Sequence, residues 1–200
     1  MKYFICISGL DGSGKTTQCK LLHDHFSEQK PIYYTFGNTE DNNHVNRATI
    51  SYVKKTELIL NSNQKHLIKS AYHMHFDIKQ LTQDSIYCDR IVIMDRYVET
   101  IYAHAQLYGL DFETIKNIFE DIYIRPDCYL FLDIDPEICY RRILQRGETI
   151  GTHEKLHSLI ELYEFYKSIV QLLGIKLIDA NKTPSETHQS IIQHLKLNGI

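Results

Sequence analysis

Residues 9–16 read Gly-Leu-Asp-Gly-Ser-Gly-Lys-Thr and contain the residue types that bind a chain of phosphates. The glycines let the backbone turn tightly, so that successive amide groups converge on phosphate oxygens. An apolar run of strand length precedes the motif and a helical pattern follows it, which places the positive end of a helix at the same anion. The alternative, a glycine-rich turn with a solvated lysine, is disfavoured by this context.

This motif predicts binding of ATP or GTP. We expect Lys15 to contact the β and γ phosphates and the Thr16 hydroxyl to bind magnesium. The nucleotide contacts are expected from the loop and the first residues of the helix: Gly9, Asp11, Gly12, Ser13, Gly14, Lys15, Thr16 and Thr17.

An acid and a base follow the apolar run 91–94. Since parallel strands direct their carboxyl ends toward the ligand crevice, we expect Asp95 and Arg96 beside the phosphate loop. Asp95 would bind magnesium or a magnesium-bound water, and the planar fork of Arg96 would hold a second anion. In the alternative interpretation, Asp95 caps the next helix and Arg96 is a surface charge.

Three arginines, Arg141, Arg142 and Arg146, follow the apolar run 128–132 in a segment of helical character. Arg142 and Arg146 share a helix face because they are four residues apart. We interpret residues 141–155 as a short lid that closes on the nucleotide and brings an arginine to the transferring phosphoryl group. The alternative is a solvated basic helix face.

The elements that must position these residues alternate along the chain. Apolar runs of strand length are separated by segments of helical periodicity, which predicts a parallel sheet with helices on both faces. Two further weak helical patterns cover residues 48–60 and 64–82, and we predict no strand between residues 36 and 90. The expectation is an α/β fold in a single domain, 1–200, with five strands at about 3–8, 32–35, 91–94, 128–132 and 175–178.

Composition excludes several classes of protein. The 22 Lys and Arg against 25 Asp and Glu give a formal net charge of −3, which provides no basic field for nucleic acid. Apolar runs stay well short of the roughly 18 residues that cross a bilayer, and the start of the chain lacks a signal-peptide pattern. Five scattered cysteines without a C-x-x-C spacing suggest neither disulfides nor zinc. We therefore expect a cytoplasmic protein without nucleic-acid or membrane partners.

Three segments together resemble the thymidylate kinase family of P-loop nucleoside monophosphate kinases: GLDGSGKTT at 9–17, DRY at 95–97 and PDCYLFLDIDPE at 126–137. The order and spacing match along nearly the whole chain, including the late Asp179-Ala180. The resemblance implies the P-loop kinase fold and transfer of the γ-phosphoryl group of MgATP to dTMP, giving dTDP. It also implies a homodimer through helices flanking the sheet, for which 48–60 and 98–107 are candidates.

The resemblance also implies roles for single residues. Asp11 would contact the sugar 3′-hydroxyl, and Arg96 would grip the acceptor phosphate with Tyr97 beside it in the substrate site. Ala180 would belong to the ATP site. Gly12 stands where some members have an arginine, so the cationic help is expected from the lid, from Arg142 and Arg146.

The acceptor pocket departs from the family pattern. Lys69 and His73 stand where members have a stacking phenylalanine and a carbonyl-binding arginine. His104 and Ala105 replace a tyrosine and a glutamine, and Phe36 lies where an arginine-and-proline loop is expected. Because an unpaired polar edge costs about 1–3 kcal/mol, such changes affect base preference more than phosphate handling.

Two alternatives to the dTMP reaction follow from these departures. One is a kinase of the same fold that acts on a modified or non-standard nucleotide or another small acceptor. The other is an ATP-binding module without turnover, against which the presence of Lys15, Thr16, Asp95 and Arg96 argues.

Overall fold

The computed structural model describes residues 2–36, 61, 65, 68, 70, 89–120 and 123–200. In this part of the chain, apolar runs form five strands, each within one residue of its predicted bounds. The strands are β1 (Tyr3–Gly9), β2 (Ile32–Thr35), β3 (Ile91–Asp95), β4 (Cys128–Asp133) and β5 (Lys176–Asp179). The helices are α1 (Lys15–His25), α2 (Val98–Leu107), α3 (Phe112–Phe119), α4 (Pro136–Gln145), α5 (Leu156–Leu173) and α6 (Pro184–Leu197).

All neighbouring strands are parallel, and their order is β2-β3-β1-β4-β5. The central strands β1 and β3 are almost entirely buried, which explains why they read as continuous apolar runs rather than alternating ones. Helices pack around the sheet in two groups, α1 with α6 and α5 with α2 and α4. The predicted α/β fold with a five-stranded parallel sheet is confirmed.

Local sequence signals set the helix ends around the site. Thr183 caps α6 by accepting a hydrogen bond from the Glu186 amide, and the Glu186 carboxylate accepts one from the Thr183 amide at 3.0 Å. Asp135 caps α4 by accepting a hydrogen bond from the Glu137 amide at 2.8 Å, with Pro136 at the first helical position. These caps hold the starts of α4 and α6 near the carboxyl ends of β4 and β5.

The register brings the site together. Ile7 pairs with Asp95 and Gly9 pairs with Leu132, so the carboxyl ends of β1, β3 and β4 reach the same edge of the sheet. β2 and β3 lie on one side of β1, and β4 and β5 lie on the other, so the connections from β1 to β2 and from β3 to β4 run in opposite directions across the sheet. Ligands bind at such a switch point in open α/β sheets.

Several predictions fall on residues that the structure does not describe, namely the two weak helical patterns, the lack of a strand between 36 and 90, and the side chains of Lys69 and His73. Among the described helices, none combines the length and apolar character that a membrane crossing requires.

Candidate active site

The phosphate loop connects β1 to α1. Gly14 precedes the first turn of α1 and supplies no side-chain cap, and the first-turn amides of a helix have no intrahelical acceptor. Inside the loop, the Ser13 amide donates to the Leu10 carbonyl at 3.1 Å, which holds the turn closed. The start of α1 therefore offers backbone donors and the positive end of a helix to an anion.

Gly12 lies against the backbone of α4. Its φ of +83° is in the left-handed region, and a Cβ added there would meet the Cys139 carbonyl oxygen at 2.4 Å. Any side chain at position 12 would displace either the loop or the helix. This contact explains why an arginine is not accommodated at position 12.

Lys15 is 5% exposed, and its ammonium donates to the Leu10 carbonyl at 2.5 Å. Burial, followed by the nearby Arg96 guanidinium, lowers the pKa of Lys15 from 10.5 to about 8, although Asp11 and Asp95 oppose the shift. Among the described residues, no carboxylate forms an ion pair with this ammonium, and an incoming phosphate could do so.

Thr16 and Asp95 meet at the end of β3. The Thr16 hydroxyl donates to Asp95 Oδ2 at 2.7 Å, and the Tyr33 hydroxyl donates to the same oxygen at 3.4 Å. Burial raises the pKa of Tyr33 to about 12, so its hydroxyl keeps its proton.

The second oxygen of this carboxylate shows whether a cation fits. Asp95 is 2% exposed, and in the described part of the chain its Oδ1 is buried without a hydrogen-bond partner. Because Thr16 gives its proton to Asp95, the lone pairs of the hydroxyl oxygen are free for a cation. Hydroxyl and carboxylate oxygens are ligands that Mg²⁺ prefers, so the donor set fits magnesium.

Arg96 forms an ion pair with Asp11 of the phosphate loop. Arg96 adopts a φ of +69°, uncommon for a residue with a side chain, and its amide donates to the Ile7 carbonyl at 2.9 Å. Burial works to raise the pKa of Asp11, but the Arg96 and Lys15 charges outweigh it and lower the pKa. Burial likewise works to lower the pKa of Arg96, whereas Asp11 raises it, with the net shift upward.

Two adjoining cavities surround the loop. The inner cavity, of about 350 Å³, contains the charged residues Asp11, Lys15, Asp95, Arg96 and Arg146, together with Thr16 and Thr35. The outer cavity, of about 340 Å³, extends between the loop and the start of α6. Gly12, Gly14, Thr17 and Arg146 line both cavities, so one ligand can extend from one into the other.

The lid arginines take different positions. Arg142 on α4 points one nitrogen at the carbonyl oxygens of Gly12 and Ser13, 3.4 Å from each. Arg146, just after α4, pairs with Glu154 at 3.6 Å and is 45% exposed. Only Arg146 of the two reaches the lining of the inner cavity, within the part of the chain that the structure describes.

Phe36 and Tyr97 pack against each other at the end of β2. Their rings meet edge to face with centroids 6.2 Å apart, and the Phe36 amide donates to the Asp95 carbonyl at 2.9 Å. Tyr97 is fully buried, and its hydroxyl accepts a hydrogen bond from the Ile124 amide at 3.0 Å. Tyr97, which we predicted in the substrate site, thus lies in the core below the site.

His104, which we predicted to face the base of the acceptor, lies in the described part of the chain. It lies on α2 with Nδ1 2.8 Å from the Thr100 carbonyl oxygen, and its ring stacks edge to face on His153 of the lid at 5.2 Å. His104 is also close enough to Asp11 for its charge to help lower the pKa of that carboxyl. Ala105, its neighbour, is buried.

Ala180, which the resemblance placed in the ATP site, lines the outer cavity, and its amide donates to the Asp133 carbonyl at 2.8 Å. Sequence reasoning missed the other residues that line this cavity from α1 and the start of α6. Only Gln18 carried a signal, since it directly follows the loop motif on the same helix. The missed residues are Gln18, Lys182, Pro184 and Thr187.

Comparison with known proteins gives a consistent result. The model of the thymidylate kinase family matches residues 7–191. A probable thymidylate kinase of Pyrococcus abyssi is 26% identical over 215 residues, covering 97% of this chain and 96% of that protein. The thymidylate kinase of Coprothermobacter proteolyticus is 25% identical (97% and 99% covered), and that of Schizosaccharomyces pombe is 28% identical (94% and 89% covered).

These relatives align with the chain from the phosphate loop to α6, so the likeness covers the parallel sheet as well as the loop. Because the family model spans most of the sequence, the chain belongs to the thymidylate kinase family, whose members are nucleoside monophosphate kinases that generally use ATP and Mg²⁺.

Proposed function

We propose that this protein transfers the γ-phosphoryl group of MgATP to dTMP, giving dTDP and ADP. The observation that carries the proposal is the inner cavity, where Lys15 and the Thr16–Asp95 pair meet the Asp11–Arg96 pair. Lys15 and the Thr16–Asp95 pair suit the phosphates of the donor, and the Asp11–Arg96 pair suits the phosphate of the acceptor. Two phosphates held there would be near each other and close to fixed positive charge, which is most of what phosphoryl transfer requires.

The outer cavity is the proposed site of the ATP nucleoside. Its walls are the loop residues Gly12 and Ser13 on one side and Ala180 and Pro184 on the other. A nucleoside in this cavity would direct its triphosphate through the shared residues into the inner cavity. There the α1 amides and Lys15 would bind the β and γ phosphates.

Thr16 and Asp95 are the residues that would hold magnesium. The ion, when bound, supplies positive charge that offsets the negative charge of the phosphates. Tyr33 supports this pair by donating to Asp95 Oδ2, which orients the carboxylate.

The Asp11–Arg96 pair is the proposed acceptor clamp. An acceptor phosphate would replace Asp11 as the partner of Arg96, and the freed Asp11 carboxylate would accept a hydrogen bond from a sugar hydroxyl. Arg146, at the junction of the cavities, would turn from Glu154 toward the transferring phosphoryl group. An arginine in that role contributes about 10³ to 10⁵ in rate in related phosphoryl transfers.

The test is an acceptor panel. Purified protein is incubated with MgATP and dTMP, dUMP, dCMP, CMP, AMP or GMP, and ADP release is measured against a reaction without acceptor. We expect the fastest release with dTMP. Turnover with another acceptor would redirect the proposal to that nucleotide, and no turnover with any of them would contradict it.

The proposed homodimer is tested separately. It would use α2, whose residues in this single chain are already largely buried against α5 and the sheet, so any contact must involve the exposed remainder. Light scattering coupled to size-exclusion chromatography distinguishes a dimer from a 23.5 kDa monomer.

A further inference from the structure

Glu99 is a fully buried acid in the first turn of α2, and it takes no part in the site described above. Four donors surround its carboxylate. Ser8 Oγ lies 2.5 Å from Oε1, the Tyr97 amide 3.0 Å and Thr100 Oγ1 3.1 Å, while the Tyr129 hydroxyl donates to Oε2. A buried charge is costly unless it is hydrogen-bonded, and here both oxygens are satisfied.

Helix capping explains only part of this arrangement. An acid in the first turn stabilises the start of a helix, and the bond from the Tyr97 amide fits that role. Ser8, however, belongs to β1 and directly precedes Gly9, where the phosphate loop begins. The bond between Ser8 and Glu99 therefore joins two elements that are 91 residues apart in sequence.

The Tyr97 amide belongs to the peptide bond that follows Arg96. Its bond to Glu99 fixes the orientation of that peptide, and on the other side the Arg96 amide is held by the Ile7 carbonyl at 2.9 Å. Arg96 thus keeps its left-handed conformation between two fixed peptides. Glu99 contacts both the strand that carries the phosphate loop and the turn that carries Arg96.

We propose that Glu99 is a positioning residue for phosphoryl transfer, which keeps Arg96 in register with the phosphate loop by holding Ser8 and the Tyr97 amide together. The inference rests on the proposed role of Arg96 as the clamp of the acceptor phosphate. If Glu99 is lost, the Arg96 turn can shift relative to the loop, whereas the loop itself keeps its own internal bonds. We therefore expect binding of the acceptor to weaken more than binding of ATP.

The central test is Glu99→Gln, which preserves shape but places an amide donor where one carboxylate oxygen accepted. We expect the KM for dTMP to rise on the order of tenfold, because small displacements of a positioning group are costly, while the KM for ATP stays within about twofold. Steady-state kinetics with each substrate varied in turn measure the two values. If Glu99 served only folding, the Glu99→Gln variant would have a lower thermal midpoint, but its KM values for dTMP and ATP would not change differently.

Two hydroxyl deletions provide a matched comparison. Tyr129→Phe removes a donor to Glu99 and should raise the KM for dTMP in the same direction as Glu99→Gln, by less. Tyr3→Phe removes a hydroxyl at the opposite end of β1, where it donates to the Gly199 carbonyl at 3.0 Å, and should leave both KM values unchanged.

Ser8→Ala removes the hydroxyl that links β1 to Glu99, and it replaces Glu99→Gln as the test if that variant does not fold. It should raise the KM for dTMP, and its effect should not add to that of Glu99→Gln in the double variant. The inference is overturned if folded Glu99→Gln and Ser8→Ala keep the wild-type KM for dTMP, or if both substrates are affected equally.

Failure of the proposed function would be visible separately, in the wild-type protein. If the acceptor panel identifies another nucleotide, the same two KM values are compared for that acceptor and ATP. A selective rise for the new acceptor would support the inference although dTMP was wrong. Equal changes would overturn it.

Discussion

The cations beside the phosphate loop and Arg146 of the predicted lid are held in opposite ways. Lys15 is 5% exposed and bonded to the Leu10 carbonyl, and the Arg96 side chain, 18% exposed, is paired with Asp11. Arg146 is 45% exposed and faces Glu154 across 3.6 Å. Lys15 and Arg96 are held in fixed contacts beside the loop, whereas Arg146 is paired with a carboxylate that it can leave.

This difference follows from the energetics of charge. A buried donor aimed at developing charge needs no reorganisation during the reaction, but its desolvation costs folding stability. An exposed ion pair contributes only about 0–1 kcal/mol, so Arg146 can exchange Glu154 for a phosphate at little cost. We infer that the loop provides fixed charge and the lid provides charge that arrives with closure.

The largest expected effect is that of Lys15→Ala. Removing the fixed ammonium should lower kcat/KM by more than about 10³-fold, because it contacts phosphate in both the ground state and the transition state. The fold should persist, since the variant also removes a buried charge. Turnover and circular dichroism measure the two outcomes, and activity within tenfold of wild type would refute the assignment of the loop.

Arg146→Ala should come next, with kcat reduced by about 10³-fold and the KM for dTMP nearly unchanged. Arg141→Ala is the matched control, because Arg141 lies on the same helix, is exposed, and lines neither cavity described here. If both variants lose the same activity, the lid acts through its overall charge. If Arg142→Ala is the more damaging change, then Arg142 is the arginine that reaches the phosphates.

Arg96→Ala should mainly weaken binding of the acceptor. An acceptor phosphate would become the partner of Arg96, and losing one member of a desolvated charge pair commonly costs about 2–5 kcal/mol, so we expect the KM for dTMP to rise by at least about 30-fold. The KM for ATP should change much less. Equal changes in both values, measured by steady-state kinetics, would show that Arg96 belongs to the donor side instead.

The smallest expected effect is on pH dependence. In the free protein the pKa of Lys15 is about 8, so the ammonium that attracts ATP is lost as pH rises through that value. ATP binding should weaken above pH 8, by at most about tenfold per pH unit. Calorimetric titration from pH 7 to 9.5 measures this, and Lys15→Met should remove the inflection.

The same shift has a consequence for stability. Between about pH 8 and 10.5 the unfolded chain binds more protons at Lys15 than the folded one, so the contribution of this group favours folding more as pH rises. Thermal midpoints of wild type and Lys15→Met should therefore converge with increasing pH across that window. A constant difference would show that folding does not lower the pKa of Lys15.

Prediction from sequence worked best where local chemistry decides structure. Apolar runs predicted the five described strands, most clearly β1 and β3, because buried parallel strands need no alternation. The Gly-rich motif predicted the loop between β1 and α1. For Tyr97, the sequence did not indicate the direction of the side chain. A residue next to Arg96 can point either into the site or into the core, and only packing selects between them.

By itself, the sequence of this protein determined the class of fold, the loop that binds phosphate and the two residues at the tip of β3, because each depends on residue type and spacing over a short stretch. The strand order, the contact of Gly12 with α4, the contribution of α6 to the outer cavity and the bond from Ser8 to Glu99 were decided by the tertiary structure alone. They depend on backbone geometry or join residues at least 91 positions apart, and such contacts leave no local signal in the sequence.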